Sequence, residues 1–191
     1  MRRIIKPPIL DDEKYLYCIS LATLSKNDGR SKSDERHGSL LEKENKIDGR
    51  GFNRAIYHPK FRLDRIIRQG WHNHAPIEAL NDALENGFLV EGGDLYEAGY
   101  FFRSGRLFLQ KRYTCPVCPP YLKKYGIASI SIPAPEGWER KSLDQAMEEA
   151  EYFKGNAYEK RQRECIGNYS IDMIRDRLLE PFQLGSLRHE S

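Results

Sequence analysis

Apolar residues recur at helical spacing in three stretches of the chain. In 11–25 (DDEKYLYCISLATLS), Tyr15, Ile19 and Ala22 share a face, and Asp11 or Asp12 can cap the start. In 74–86 (HAPIEALNDALEN), Ile77, Leu80 and Leu84 form the apolar face, and Gly87 follows as a stop. Pro76 suits the first turn of that helix, where no amide hydrogen is needed. The third stretch, 141–154 (KSLDQAMEEAEYFK), reads as an amphipathic helix. Shorter apolar runs predict strands. Residues 37–52 read as a hairpin about Glu-Asn-Lys, and 95–102 with 106–113 as a second hairpin about Arg-Ser-Gly. A short helix at 116–125 opens on Pro116, and 127–132 (IASISI) reads as a strand. Residues 26–36 are a polar loop, 53–73 are irregular and basic, and one helix is expected near 170–179. The alternation predicts an α/β fold with one sheet between helix layers.

Composition narrows the class. With 191 residues, 39% hydrophobic and 31% charged, the chain is globular in composition and long enough for a core without disulfide staples. No apolar run approaches the roughly 18 residues of a transmembrane helix, so no membrane partner is expected. The start, MRRIIKPPILDDEK, lacks the apolar core of a signal peptide, and a cytoplasmic location is the expectation. Four cysteines fit a reducing compartment: Cys18 and Cys165 are isolated, and Cys115 and Cys118 form Cys-x-x-Cys, a spacing for metal or redox chemistry.

The formal net charge of +3 conceals two basic segments. Residues 50–68 hold six Lys/Arg and one Asp; residues 103–124 hold six and no acid. They would attract phosphate if they meet in space, and are solvated loops otherwise.

Two predicted helix starts carry metal-binding side chains. One begins at His74; the other follows Cys115, with Cys118 one turn later. One imidazole and two thiolates make a three-ligand zinc site with an open fourth position, the arrangement of a catalytic zinc.

These motifs resemble the cytidine deaminase-like superfamily. Zinc nucleobase deaminases carry His-x-Glu and then Pro-Cys-x-x-Cys; this chain has His74-Ala75-Pro76 and then Thr114-Cys115-Pro116-Val117-Cys118. HAPIEALNDALENGFLVEGGDLY resembles the family's first zinc helix and following Leu-Tyr strand, and CPVCPPYLKKYGIASISI resembles its second zinc helix and strand, in the CMP/dCMP deaminase branch. GRGFNRAI resembles the strand end that supplies a substrate-contacting Asn, here Asn53. The likeness spans about 11–154. It implies a three-layer α/β/α sandwich with a mixed sheet of about five strands, a zinc domain over 1–154 and a C-terminal tail over 155–191. It also implies Zn2+ held by His74, Cys115 and Cys118, a nucleotide substrate and a homo-oligomer, with nucleic acid as an alternative substrate. Arg50, Arg54 and Lys111 are the candidates for attracting phosphate.

Two departures stand out. The family's proton-shuttling Glu is replaced by Pro76, which has no proton to exchange. Glu78, four residues after His74 and on the same helix face, is the nearest substitute; it could instead be a fourth ligand or a plain surface carboxylate. Family members that have lost this Glu, such as the inactive partner subunit of the eukaryotic tRNA adenosine deaminase, keep zinc without deaminating. The second departure is an inserted hairpin at about 97–110, before Cys115.

His72 is a second candidate ligand, a substrate contact or a loop histidine. Consecutive His72-Asn73-His74 is not the nuclease unit, whose residues are spread over a ββα-metal motif. Trp71, Tyr100 and Tyr113 could stack on a base or pack in the core.

Overall fold

The computed structural model describes residues 7–25, 35–53, 74–155 and 163–178. Seven strands form one mixed sheet: β1 (Glu35–Lys43), β2 (Lys46–Phe52), β3 (Asp94–Phe101), β4 (Arg106–Gln110), β5 (Ser129–Ala134), β6 (Gly137–Ser142) and β7 (Arg163–Ser170). The order runs β2-β1-β3-β4-β7. The remaining edge of β3 is shared: β5 pairs with it in parallel over Asp94–Tyr96, and β4 pairs at Tyr100. β6 then lies antiparallel to β5.

Helices cover both faces. Alternate side chains of a strand point to opposite faces, and the core divides accordingly. Leu41, Leu95, Ile130 and Ile132 pack under α2 (Ala75–Glu85), α3 (Cys118–Lys124) and α4 (Leu143–Gly155). Leu40, Ala98, Tyr100 and Leu107 face α1 (Glu13–Thr23), with Ile166 of β7 and Ile174 of the 3-10 segment Ile171–Arg177. The three-layer α/β/α arrangement expected from the sequence is present. The sheet is wider than the five strands expected, because β4 and β7 pair with each other beyond β3.

The other differences are local. Residues 137–142 form β6, whereas 141–154 was expected to be helix from Lys141; α4 starts at Leu143. The helix expected from Pro116 starts at Cys118. The segment expected to be helical near 170–179 is a 3-10 turn over Ile171–Arg177.

Helix α2 sits unusually close to the sheet. A Cβ on Gly51 would collide with Ala75 O and Ala79 N of the helix backbone, and one on Gly49 with Ala79 O. Gly38 gives α1 the same access on the opposite face, against Cys18 O and Ala22 N. Only the missing side chains let backbone meet backbone at these crossings.

Gly51→Ala is expected to lift the first turn of α2 and lower stability by about 2–3 kcal/mol, in the range for an overpacked core. Urea denaturation measures this; an unchanged midpoint would show that the crossing is loose.

Candidate metal centre

Three donor atoms converge where the first turn of α2 meets the segment leading into α3. His74 Nδ1 lies 3.0 Å from Cys115 Sγ and 3.4 Å from Cys118 Sγ, and the sulfurs are 3.3 Å apart. They are the group of metal-ligating side chains found among the described residues. His74 is the residue before α2, with extended backbone (φ −83°, ψ 140°), and Pro76 occupies the second helical position. Cys118 is fully buried and Cys115 partly exposed.

The donor set fits zinc. Tetrahedral bonds of about 2.3 Å to sulfur and 2.0–2.1 Å to nitrogen place neighbouring donors about 3.6–3.8 Å apart. The three atoms need to open by roughly half an ångström to take the ion. Electrostatics point the same way. The Cys118 thiol and the His74 imidazole beside it hold Cys115 well below the usual thiol range, against its burial. Burial pushes Cys118 up, reinforced by Cys115. Burial lowers His74, but Cys115 and Glu97 more than offset it, and the imidazole titrates above its ordinary value. A cation entering the site replaces those protons, so uptake weakens as pH falls.

The segment that carries Cys115 is tied from behind. Tyr113 is fully buried, and its backbone N–H donates to Glu149 Oε2 of α4 at 2.6 Å. Glu149 Oε1 accepts from Lys141 Nζ at 2.8 Å, and Lys141 also donates to Glu139 at 2.6 Å. Lys141 is 1% exposed. A buried ammonium persists when its charge is paired and its protons are used. Nothing in the sequence patterning marked this pair, because Lys141 falls at the start of a stretch read as an amphipathic helix.

The other expected site residues are distributed as follows. Asn53 stands at the end of β2, but both ends of its amide serve β1: Oδ1 accepts from His37 N at 2.8 Å, and Nδ2 donates to Glu35 O at 3.2 Å. Arg50, expected at the site, does not face it: its backbone amide donates to the Asp82 carboxylate of α2, two turns beyond His74, but its side chain points to the opposite face, where the guanidinium donates to the Tyr17 hydroxyl of α1. Lys111 is 61% exposed and paired with Glu164 of β7 at 2.8 Å. Glu78 is buried in the first turn of α2 and is not one of the three converging donors. Arg54, His72 and Trp71 lie outside the described residues. Tyr113 packs in the core beside Cys118, and Tyr100 packs on the opposite face, under α1. Of the basic segment 103–124, Arg106 donates to Gly167 O, Arg112 stacks over Tyr152 and Lys123 pairs with Asp144.

Two residues missed at the sequence level lie on this side of the sheet. Glu97 and His37 are 8% and 9% exposed, with His37 Nδ1 3.0 Å from Glu97 Oε1. A signal was available: Glu97 shares a strand face with Leu95, so a carboxylate interrupts an otherwise apolar face.

Comparison with known proteins gives distant structural likeness. No protein-family model matches the chain, and no curated protein sequence matches it. Among solved structures, the apo dCMP deaminase from the cyanophage S-TIM5 is 18% identical, with a TM-score of 0.39 over 68% of this chain and 82% of that one. The same enzyme in complex with dCMP and dUMP is 17% identical, with a TM-score of 0.32 over 49% of this chain and 62% of that one. A diaminohydroxyphosphoribosylaminopyrimidine deaminase/5-amino-6-(5-phosphoribosylamino)uracil reductase from Thermotoga maritima is 20% identical, with a TM-score of 0.36 over 59% of this chain. The match spans about a quarter of that bifunctional protein, 26% of its length.

Glu149→Ala leaves the buried Lys141 ammonium short of a partner and releases the Tyr113 amide. It is expected to cost about 3–5 kcal/mol, the range for breaking a buried pair, and to make zinc added to the purified protein easier to strip with a chelator. Lys123→Ala, which breaks an exposed pair, is the control and should change neither denaturation midpoint nor zinc retention.

Proposed function

We propose that this chain is a zinc-dependent, deaminase-like protein that hydrolytically removes the exocyclic amine of a cytosine-type nucleotide. The observation that carries the reading is the convergence of His74, Cys115 and Cys118 donors within 3.4 Å of one another. They come together on the elements, and in the chain order, of the deaminase motifs. Zinc held by these three residues would supply an activated water near neutral pH. Asn53, at the strand end nearest the first turn of α2, is the residue assigned to the sugar. Its amide keeps a second lone pair and a second N–H beyond the bonds to β1. Phosphate attraction is assigned to Arg54 and Lys111, with His72 as a further candidate substrate contact, and the working assembly is a homo-oligomer; Arg50 is left out, because its guanidinium is on the opposite face of the sheet at the Tyr17 hydroxyl.

Pro76 favours a second reading. A missing proton shuttle removes about 10²–10⁴-fold of rate, and a pseudo-deaminase would bind nucleotide or partner an active subunit without turnover. The two readings differ in whether another carboxylate replaces the lost one, Glu78 being the replacement the sequence offers.

Elemental analysis of purified protein should find one zinc per chain, lost in Cys115→Ser together with thermal stability. Assays on dCMP, CMP, dCTP, cytidine and single-stranded DNA then separate the readings. Turnover of a nucleotide, lost in the Cys115→Ser variant, supports the enzyme. No turnover in the wild type, with activity created by Pro76→Glu, establishes the pseudo-deaminase. Absence of zinc, with Cys115→Ser folding normally, removes both.

A further inference from the structure

The site lacks a carboxylate at position 76, yet the sheet beneath it carries one. Gly51, on which the first turn of α2 rests, pairs with Ser39 of β1, and Ser39 pairs with Glu97 of β3. Directly opposed residues of neighbouring strands point to the same face. Glu97 therefore projects on the α2 side, two strand spacings or roughly 10 Å across from that turn. Leu95, two residues earlier on the same face, packs in one cluster with Cys118 and Tyr113. Glu97 thus lies beneath the region where the first turn of α2 approaches the start of α3.

Its surroundings are polar and enclosed. His37 Nδ1 is 3.0 Å from Glu97 Oε1, and His37 Nε2 is 3.5 Å from Glu35 Oε2. The Phe108 ring covers the imidazole at 5.6 Å. Between Gly51 and Glu97, the Ser39 hydroxyl is 0% exposed and has no hydrogen-bond partner among the described residues. A buried orphan hydroxyl beside a carboxylate is a place for a water or a polar ligand atom.

We propose that Glu97, with His37 beside it, is the proton-exchanging carboxylate of this site, in place of the glutamate absent at position 76 and in preference to Glu78. The proposal rests on the deaminase reading. Water adds across the base: its oxygen bonds to carbon 4, and one proton passes through Glu97 to ring nitrogen 3. Glu97 then moves the new hydroxyl's proton to the amine. The carbon–nitrogen bond breaks, ammonia leaves and the carbonyl forms, with no change in oxidation state. His37 is a positioning residue, oriented by its backbone bonds to Asn53 and by Glu35.

The test compares full-length wild type, Glu97→Gln, Glu97→Asp and Glu78→Gln, each loaded with cobalt(II) in place of zinc. Gln is isosteric and keeps polar atoms beside His37, so Glu97→Gln should fold and bind one cobalt. With dCMP as substrate, Glu97→Gln should lower kcat about 100-fold and leave KM within about threefold, Glu97→Asp should recover part of the rate, and Glu78→Gln should behave as wild type. A loss below about tenfold in Glu97→Gln, or abolition by Glu78→Gln, overturns the assignment. If the wild type binds cobalt but turns over no cytosine nucleotide, the deaminase reading fails. The visible cobalt spectrum then decides on Glu97 alone. Its pH midpoint should move by about half a unit or more in Glu97→Gln and stay fixed in Glu78→Gln, because a nearby charge shifts ionisation at the metal. An unmoved midpoint overturns the proposal, and a chain that binds no cobalt overturns both.

Discussion

Direct backbone contact between α2 and the glycines of β2 is the constraint on which the site depends. Gly49 and Gly51 let the helix lie on the sheet without intervening side chains, with Ala75, Ala79 and Ala83 the helix residues that meet them. A helix held that close cannot rotate or slide freely, since any shift drives carbonyls into the strand. Its first turn is therefore fixed over Gly51, and His74 is fixed with it. The same strand ends two residues later at Asn53, whose amide completes the edge of β1. Ligand helix, sheet edge and candidate sugar contact are thus set by one packing event.

The partner side is held by charge. The Cys115 segment has no regular structure of its own between β4 and α3, yet Tyr113 within it is fully buried. A buried loop amide needs an acceptor, and Glu149 provides it while neutralising Lys141. Burial of such a pair adds little net stability by itself. Its effect is positional: it allows one path for the chain between β4 and α3, and that path brings the two sulfurs to the imidazole. Apolar packing under α2 and a buried ion pair behind the loop fix the donors from opposite sides.

Much of this was legible in residues. Helical spacing in 74–86 and the Gly-rich second strand of the first hairpin gave α2 and β2, and the His/Cys/Cys set named the donors that converge. What was hidden has physical causes. Gly137–Ser142 alternates too weakly to announce a strand: its residues are exposed or half-buried, and only Lys141 is buried. Tertiary pairing with β5 decides its conformation, and the helix pattern starting at Leu143 overran it. Strand β7 lies at the far edge of β4, so few of its residues needed to be apolar. Asn53 was legible as a strand-end residue, but its backbone role was not, since the amide bonds to a strand sixteen residues away. Glu97 and Lys141 show the general difficulty. A buried charge is readable only once its partner is known, and His37 and Glu149 lie on other elements.

Pro76 changes meaning in this setting. At the second helical position its ring fits the backbone and its missing N–H leaves no hydrogen bond unmade. Pro76 therefore leaves His74 where the glycines put it, and the three donors converge without a carboxylate at position 76. The donor geometry rests on α2, on Gly51 and on the Lys141–Glu149 tie. On the proposed reading, proton exchange passes to a carboxylate on the same side of the sheet. Glu97 meets that condition through the sheet register, with His37 beside it, and Glu78 through the helix face it shares with His74. The sheet position is the more rigid of the two, since Glu97 pairs with Ser39 of β1 and lies between the stretches of β3 that pair with β5 and with β4. A proton donor must return to the same place at each turnover, and a carboxylate set in the middle of a sheet has less freedom to miss it.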